Sequence, residues 1–377
     1  MTSAPSRSLW RGRAIALIGI VLFAFSLRTA VASLSPLLAK IGEDFTVPAA
    51  VVGLIGTAPP VCYAVFGIVT PLFERRYGLE RTGLAAMVVV AVGLVLRGFA
   101  VDATTLLLAT ALIFAAVGVG NVLLPPLVKK YFPDRIGLVT SVYSTMLAIA
   151  TFTPPLIAVP VADAASWRLS IGVWAVFAAI AMIPWVILVV RSRRAGAAAD
   201  DIETANPRVF GRLWRLPLVW ALVVTFTASA VVAYVFFAWY PQVLIDIAGL
   251  SPAEAGAMLA LFASIGMPCS LLVPMLVVRF HATRALFAVA VVTGLGGIAG
   301  LLVAPSLAPA VWTVLLGVAS LLFPLSLVLL GIRTRTHEGA VALSGFVQSI
   351  GYGIAAVFPL AFGLLHDATA SCSSRSC

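Results

Sequence analysis

The chain has 377 residues, of which 62% are hydrophobic and only 10% charged, and its mean hydropathy is +1.12. A soluble domain carries roughly 25% charged residues, so this composition excludes an ordinary globular enzyme and predicts an all-α chain that crosses a bilayer many times. The formal net charge of +10 would suit nucleic acid, but its placement in the loops of one side assigns it to membrane topology.

Arg7, Arg11 and Arg13 precede the first apolar run, residues 15–38. The run is longer than a signal-peptide core, and Arg28 stands just before the cleavage-like Ala30-Val31-Ala32, so it reads as an uncleaved membrane helix. About eleven spans are expected, near 14–38, 48–72, 82–100, 104–128, 136–161, 167–190, 217–243, 252–278, 285–304, 309–332 and 340–365. Pro48, Thr104, Pro217, Ser251-Pro252 and Pro309 open several of them. Trp167, Trp239 and Tyr240 lie near span ends, where aromatic belts form.

Of the 24 Lys and Arg residues, only Lys40, Arg168 and Arg375 fall in outer segments if the N-terminus is inside, and only Arg28 and Arg97 fall within spans. The rest line the inner side, so a cytoplasmic N-terminus and an external C-terminus are expected. All 14 acidic residues fall in loops or at span ends. The membrane interior is therefore cationic without a fixed counter-charge.

Residues 191–216 form the one long polar stretch and read as a cytoplasmic linker. It would join a six-helix N-terminal lobe, 1–190, to a C-terminal lobe, 217–377, of five helices and a polar tail. The halves repeat weakly. Val47-Pro48-Ala49-Ala50 corresponds to Ser251-Pro252-Ala253-Glu254, Pro71 and Arg75 to Pro274 and Arg279, and Ser141-Val142-Tyr143-Ser144 to Ser344-Gly345-Phe346-Val347. Such repetition marks a two-lobed transporter.

Several segments together carry a family likeness. They are Ser26-Leu27-Arg28 to Ser35-Pro36-Leu37-Leu38, Gly93 to Arg97, Gly120-Asn121-Val122-Leu123-Leu124-Pro125, Val128-Lys129-Lys130-Tyr131-Phe132-Pro133 and Leu343 to Tyr352. On these the chain resembles the major facilitator superfamily, and within it the cyanate and 2-nitroimidazole permease branch, from about residue 15 to 368. The resemblance implies a two-lobed helical bundle in which spans 1, 4, 7 and 10 line a central cavity. It departs from the family twice. In the loop pattern Gly-x-x-x-Asp-Arg-x-Gly-Arg-Arg, Arg76 and Gly78 fit as a gating motif, but Arg75 takes the Asp place and Glu74 comes one residue early, which puts the charge lock between spans 2 and 11 in doubt. The family's twelfth span has no counterpart in the polar tail 370–377, which reads as a truncation or shifted frame. Cys372 and Cys377 would lie outside in that tail, and Cys62 and Cys269 read as packing residues.

Arg28 is the leading site residue. It lies about 20 Å from the start of its helix and about 15 Å from its end, too deep to reach water by extension. Placing it there costs at least about 2.5–3.5 kcal/mol, so it should face a wet cavity and an anion that its planar fork can hold. The alternative is a structural arginine on helix carbonyls. Arg97 lies about 5 Å from the outer end of span 3 and is expected to snorkel to headgroups, or to stand as a second cation at an outer vestibule. Asn121, Tyr234, Gln348 and Tyr352 add donors and a flat aromatic surface for a small polar ligand. Gln348 and Tyr352 share one helix face, and for each alone interhelical hydrogen bonding is the competing role.

No Cys/His cluster has metal spacing and no phosphate-binding loop of the ATPase type occurs. The expectation is a non-enzymatic, cofactor-free secondary or facilitated transporter, monomeric in a bacterial inner membrane. Its partners would be the lipid bilayer and a small anion, with no nucleic acid. The alternatives are a drug or metabolite exporter of the same superfamily and a truncated, non-transporting membrane protein.

Overall fold

The structure is a computed structural model that describes residues 13–194, 213–334, 336–358 and 361. Residues 362–377, on which the expected polar tail and absent twelfth span rest, lie outside that description, as does most of the linker. Among the described residues every regular element is helical. In chain order they are α1 Ala14–Ala32, a 3₁₀ turn Ser35–Leu37, α2 Leu38–Asp44, α3 Ala49–Tyr77, α4 Leu79–Gly98, α5 Ala103–Tyr131, α6 Ile136–Ala164 and α7 Trp167–Arg194. After the linker come α8 Pro217–Ala248, α9 Pro252–Phe280, α10 Thr283–Val303, α11 Pro309–Ala319, α12 Leu322–Ile332 and α13 His337–Ala355.

Among the described residues ten stretches are long and apolar enough to cross a membrane, and the apolar part of α13, Gly339–Ala355, is a shorter eleventh. With no water in the hydrocarbon core, a chain this apolar satisfies its backbone inside helices. The helix ends follow local chemistry. Asp102, rather than Thr104, caps α5, accepting from the Thr105 backbone N–H at 2.7 Å. Ser251 opens α9 as expected, and it and Glu254 cap the helix reciprocally.

Two spans that read as continuous are broken. The first ends its α-helix at Ala32 and passes through the turn containing Pro36. The tenth divides between α11 and α12. Pro324 has no N–H for the Ser320 carbonyl, which accepts from Phe323 at 3.0 Å instead.

α1 packs on α5, α6 and α7, while α4 fills the angle between α5 and α7. In the second group α8 packs on α9, α12 and α13, and α9 on α11. The groups meet chiefly where α3 faces α13 and α6 faces α9. These meetings are tightest toward the end that carries the basic loops. A Cβ on Gly345 would lie 2.9 Å from the Gly67 carbonyl, and one on Gly137 would lie 3.0 Å from the Pro274 carbonyl. Only glycine allows such backbone approach. In the opposite halves of α3 and α9, a Cβ on Gly53, Gly56 or Gly256 would meet nothing within 4 Å.

Candidate substrate-binding cavity

A cavity of about 220 Å³ lies between the two helix groups. α1 contributes Arg28, and α6 contributes Ser144, Thr151 and Phe152. Ser229, Tyr234 and Phe237 come from α8, Phe262 and Ser270 from α9, and Tyr352 from α13. The interruption between α11 and α12 also opens on it, through Ser320, Phe323 and Pro324.

Arg28 is half-buried in this wall, and no acidic side chain pairs with it among the described residues. Its charge is close enough to act on the phenols of Tyr63, Tyr234 and Tyr352. Tyr352 anchors the ring cluster. It meets Tyr63 edge-on at 5.1 Å, Phe226 at 4.9 Å and Tyr234 at 6.3 Å, so that α3, α8 and α13 converge on one aromatic wall. Arg28, Tyr234 and Tyr352, singled out from the sequence, thus come together. Tyr63 was missed, although a lone phenol inside an apolar span was a usable signal.

Asn121 and Gln348 do not line the cavity. Both are buried, and the Gln348 amide nitrogen donates to the Ser344 hydroxyl at 2.7 Å and to the Asn121 main-chain carbonyl at 3.3 Å. They hold α13 to α5. Ser144 and Ser270, also missed, make a comparable link from the wall itself, with Ser144 Oγ donating to the Ser270 carbonyl at 2.8 Å.

Arg97 does not extend to the headgroups. Its side chain is 0% exposed, and Nη1 donates to the Ala30 carbonyl of α1 at 2.9 Å. Helical rise gave its depth but not its direction, and the face of α4 that carries Arg97 turns inward. Arg76 and Gly78 lie at the junction of α3 and α4, with Arg76 5.5 Å from the Tyr77 ring centre. Gly78 adopts φ 83° and ψ 163°, a region essentially restricted to glycine. At this end α3 meets α13 through the Gly67–Gly345 approach, beside Pro71.

Nearby, Lys130 pairs with Glu80 at 2.8 Å and Tyr131 donates to the same carboxylate at 2.6 Å. Lys129 crosses between the helix groups. Its ammonium donates to the Gly331 carbonyl at 3.1 Å, to Thr334 Oγ1 at 2.8 Å and to the Thr334 carbonyl. A cation on the last carbonyls of α12 also suits the negative end of that helix.

The cavity therefore offers a guanidinium fork, phenols and hydroxyls on otherwise apolar walls, between two groups of membrane helices. Among the described residues no cluster of three or more His, Cys, Asp or Glu could hold a metal. A many-helix membrane bundle with such a cavity at its middle has the form of a transporter.

Comparison with known proteins specifies the class. The profile of the Major Facilitator Superfamily matches residues 16–359. An uncharacterized transporter, YycB, of Bacillus subtilis (strain 168) is 30% identical, over 94% of this chain and 87% of that protein. The 2-nitroimidazole transporter of Escherichia coli (strain K12) is 29% identical over 99% of this chain and 93% of its own. The cyanate transport protein CynX of the same organism is 26% identical over 93% and 90%. Among solved structures, the transporter FucP in its outward conformation superposes with a TM-score of 0.72 at 17% identity, covering 97% of this chain and 94% of that one. The chain belongs to the major facilitator superfamily, in its cyanate and 2-nitroimidazole permease branch. It is a multi-pass membrane transporter of a small molecule and not an enzyme.

Proposed function

We propose that the chain is a secondary or facilitated transporter of a small anion, bound at Arg28 and carried by alternating access between two lobes, 1–190 and 217–377. The observation that carries this reading is the half-buried guanidinium of Arg28 on the cavity wall without an acidic partner among the described residues. An anion would satisfy it when bound, and water in the open cavity otherwise. Tyr234 and Tyr352 would contact the same ligand, whereas Asn121 and Gln348 would act by holding the lobes together. The cyanate transport protein among the relatives supports a solute of this size and charge.

The basic-loop end is the cytoplasmic one by the positive-inside rule, which puts the N-terminus inside and the C-terminus outside a bacterial inner membrane. The close approaches and the Lys129 bridge lie at that end, so the conformation is outward-facing. The transporter works as a monomer, because each chain supplies both lobes. Among the described residues no acid lies in the middle of a span, so proton dependence enters through ionisation of the substrate or through groups at the span ends.

The test is uptake of a labelled panel of small anions, cyanate included, into proteoliposomes. Wild type should take up at least one, and Arg28→Ala should abolish both uptake and ligand-induced thermal stabilisation of the purified protein. Arg28→Lys should restore only part, since an ammonium lacks the planar fork. Undiminished uptake by Arg28→Ala would refute the reading. The aromatic wall and the 2-nitroimidazole relative favour a second reading, a small neutral aromatic solute. In that case transport would survive Arg28→Ala and fail in Tyr352→Ala.

A further inference from the structure

Arg97 is the most deeply enclosed charge among the described residues. Its Nη1 is taken by the Ala30 carbonyl, but Nε and Nη2 have no partner. Those two nitrogens form one edge of the guanidinium, and their N–H bonds run parallel, so a single acceptor can take both. Tyr63, on α3, lies within electrostatic reach of the Arg97 guanidinium, is 1% exposed, and has a hydroxyl that also lacks a partner. No carboxylate among the described residues pairs with Arg97. An arginine cannot discharge by losing its proton, and an isolated buried charge is strongly unfavourable. The arrangement lacks one acceptor that carries negative charge.

We propose that Arg97 Nε and Nη2, with the Tyr63 hydroxyl, form an internal binding site for a small monovalent inorganic anion of halide size. It lies where α1, α3 and α4 meet and is distinct from the cavity at Arg28. The anion neutralises Arg97 and fixes it against α1, two residues beyond Arg28. It is a resident counter-ion rather than the transported solute, because Arg97 is closed off from the cavity surface. The inference does not depend on what the cavity carries.

Bromide is the probe. The full-length protein, purified in detergent, is titrated with bromide against gluconate at constant ionic strength, and its thermal midpoint is followed. Bromide should raise the midpoint in a saturable way in wild type and equally in Arg28→Ala. In Arg97→Gln the response should vanish. Tyr63→Phe, made in the Arg28→Ala background, should need several-fold more bromide for half the effect. If Arg97→Gln does not fold, this second variant carries the test, and an unchanged half-saturation overturns the proposal. So does the absence of a saturable bromide response in wild type, which would leave water as the only acceptor. A response lost in Arg28→Ala would place the anion in the cavity and overturn it equally.

Discussion

Gln348 on α13 reaches the main-chain carbonyl of Asn121 on α5 at 3.3 Å, across the seam between the two helix groups. The same nitrogen is steadied by Ser344, one turn back on α13, at 2.7 Å. Gln348→Leu removes both bonds and leaves a buried carbonyl and hydroxyl without this donor. A loss of about 1–3 kcal/mol is expected, read as a lower thermal midpoint of the purified protein. Because Gln348 is not on the cavity wall, the half-saturating concentration of any ligand should stay unchanged.

Lys129 is expected to set the balance between conformations. Lys129→Ala deletes charge-assisted bonds worth about 1.5–3 kcal/mol, which corresponds to a shift of roughly tenfold or more toward the state open at the basic end. Spin labels on Arg76 and Arg279, at the basic ends of α3 and α9, report it. Their distance distribution should gain a longer component in the variant, and an unchanged distribution would show that Lys129 holds nothing.

Gly78→Ala should destabilise the protein by about 1–3 kcal/mol without any steric clash. No atom lies within 4 Å of the Cβ it would add, but φ of 83° with ψ of 163° is a region that L side chains avoid. The thermal midpoint measures it, and Gly42→Ala serves as a control, since Gly42 has equally open space and ordinary helical φ.

Asp44, at the end away from the basic loops, gives a pH dependence of definite sign. The Arg168 guanidinium and the Trp167 indole N–H, at 2.9 Å, both donate to its carboxylate and hold its pKa below the ordinary 3.8. A lowered folded value contributes stability above the unfolded pKa and loses it as pH falls through the folded one. The tie between α2 and α7 should therefore persist at neutral pH and weaken only below about pH 4. The contribution is small because the pair faces solvent. Asp44→Asn should lower the thermal midpoint slightly at neutral pH and leave it unchanged in acid, so that the acid limb of a plot of midpoint against pH flattens.

Membrane crossing was legible because composition alone dictates it, and Arg28 was legible because a charge inside an apolar run has few alternatives. Other features depended on direction around a helix axis, which one chain's hydropathy does not reveal. Arg97 is the plainest case, since its place near the outer end of a span was legible and the direction of its side chain was not. Gln348 and Tyr352 share a face, yet one turn of rise separates a side chain on the cavity wall from one sealed beneath it. Tyr63, Ser144 and Ser270 gained their places through tertiary pairing of distant helices. The interruption before Pro324 had a local signal, a proline inside a span, but prolines also occur within the unbroken helices α3 and α5.

That interruption gives the tenth span a joint. α11 is seated on α10, where Trp312 and Leu316 press against Gly300 and Gly297, while α12 is fastened at its far end by Lys129. A stiff rod would carry a displacement at Lys129 along its whole length and force those outer contacts to be remade. Two short rods joined by the turn at Ser320 and Leu321 would confine it to the lower one. The joint opens on the cavity wall, so a parting of the basic end would change the shape of the chamber while the outer half of the span stayed in place.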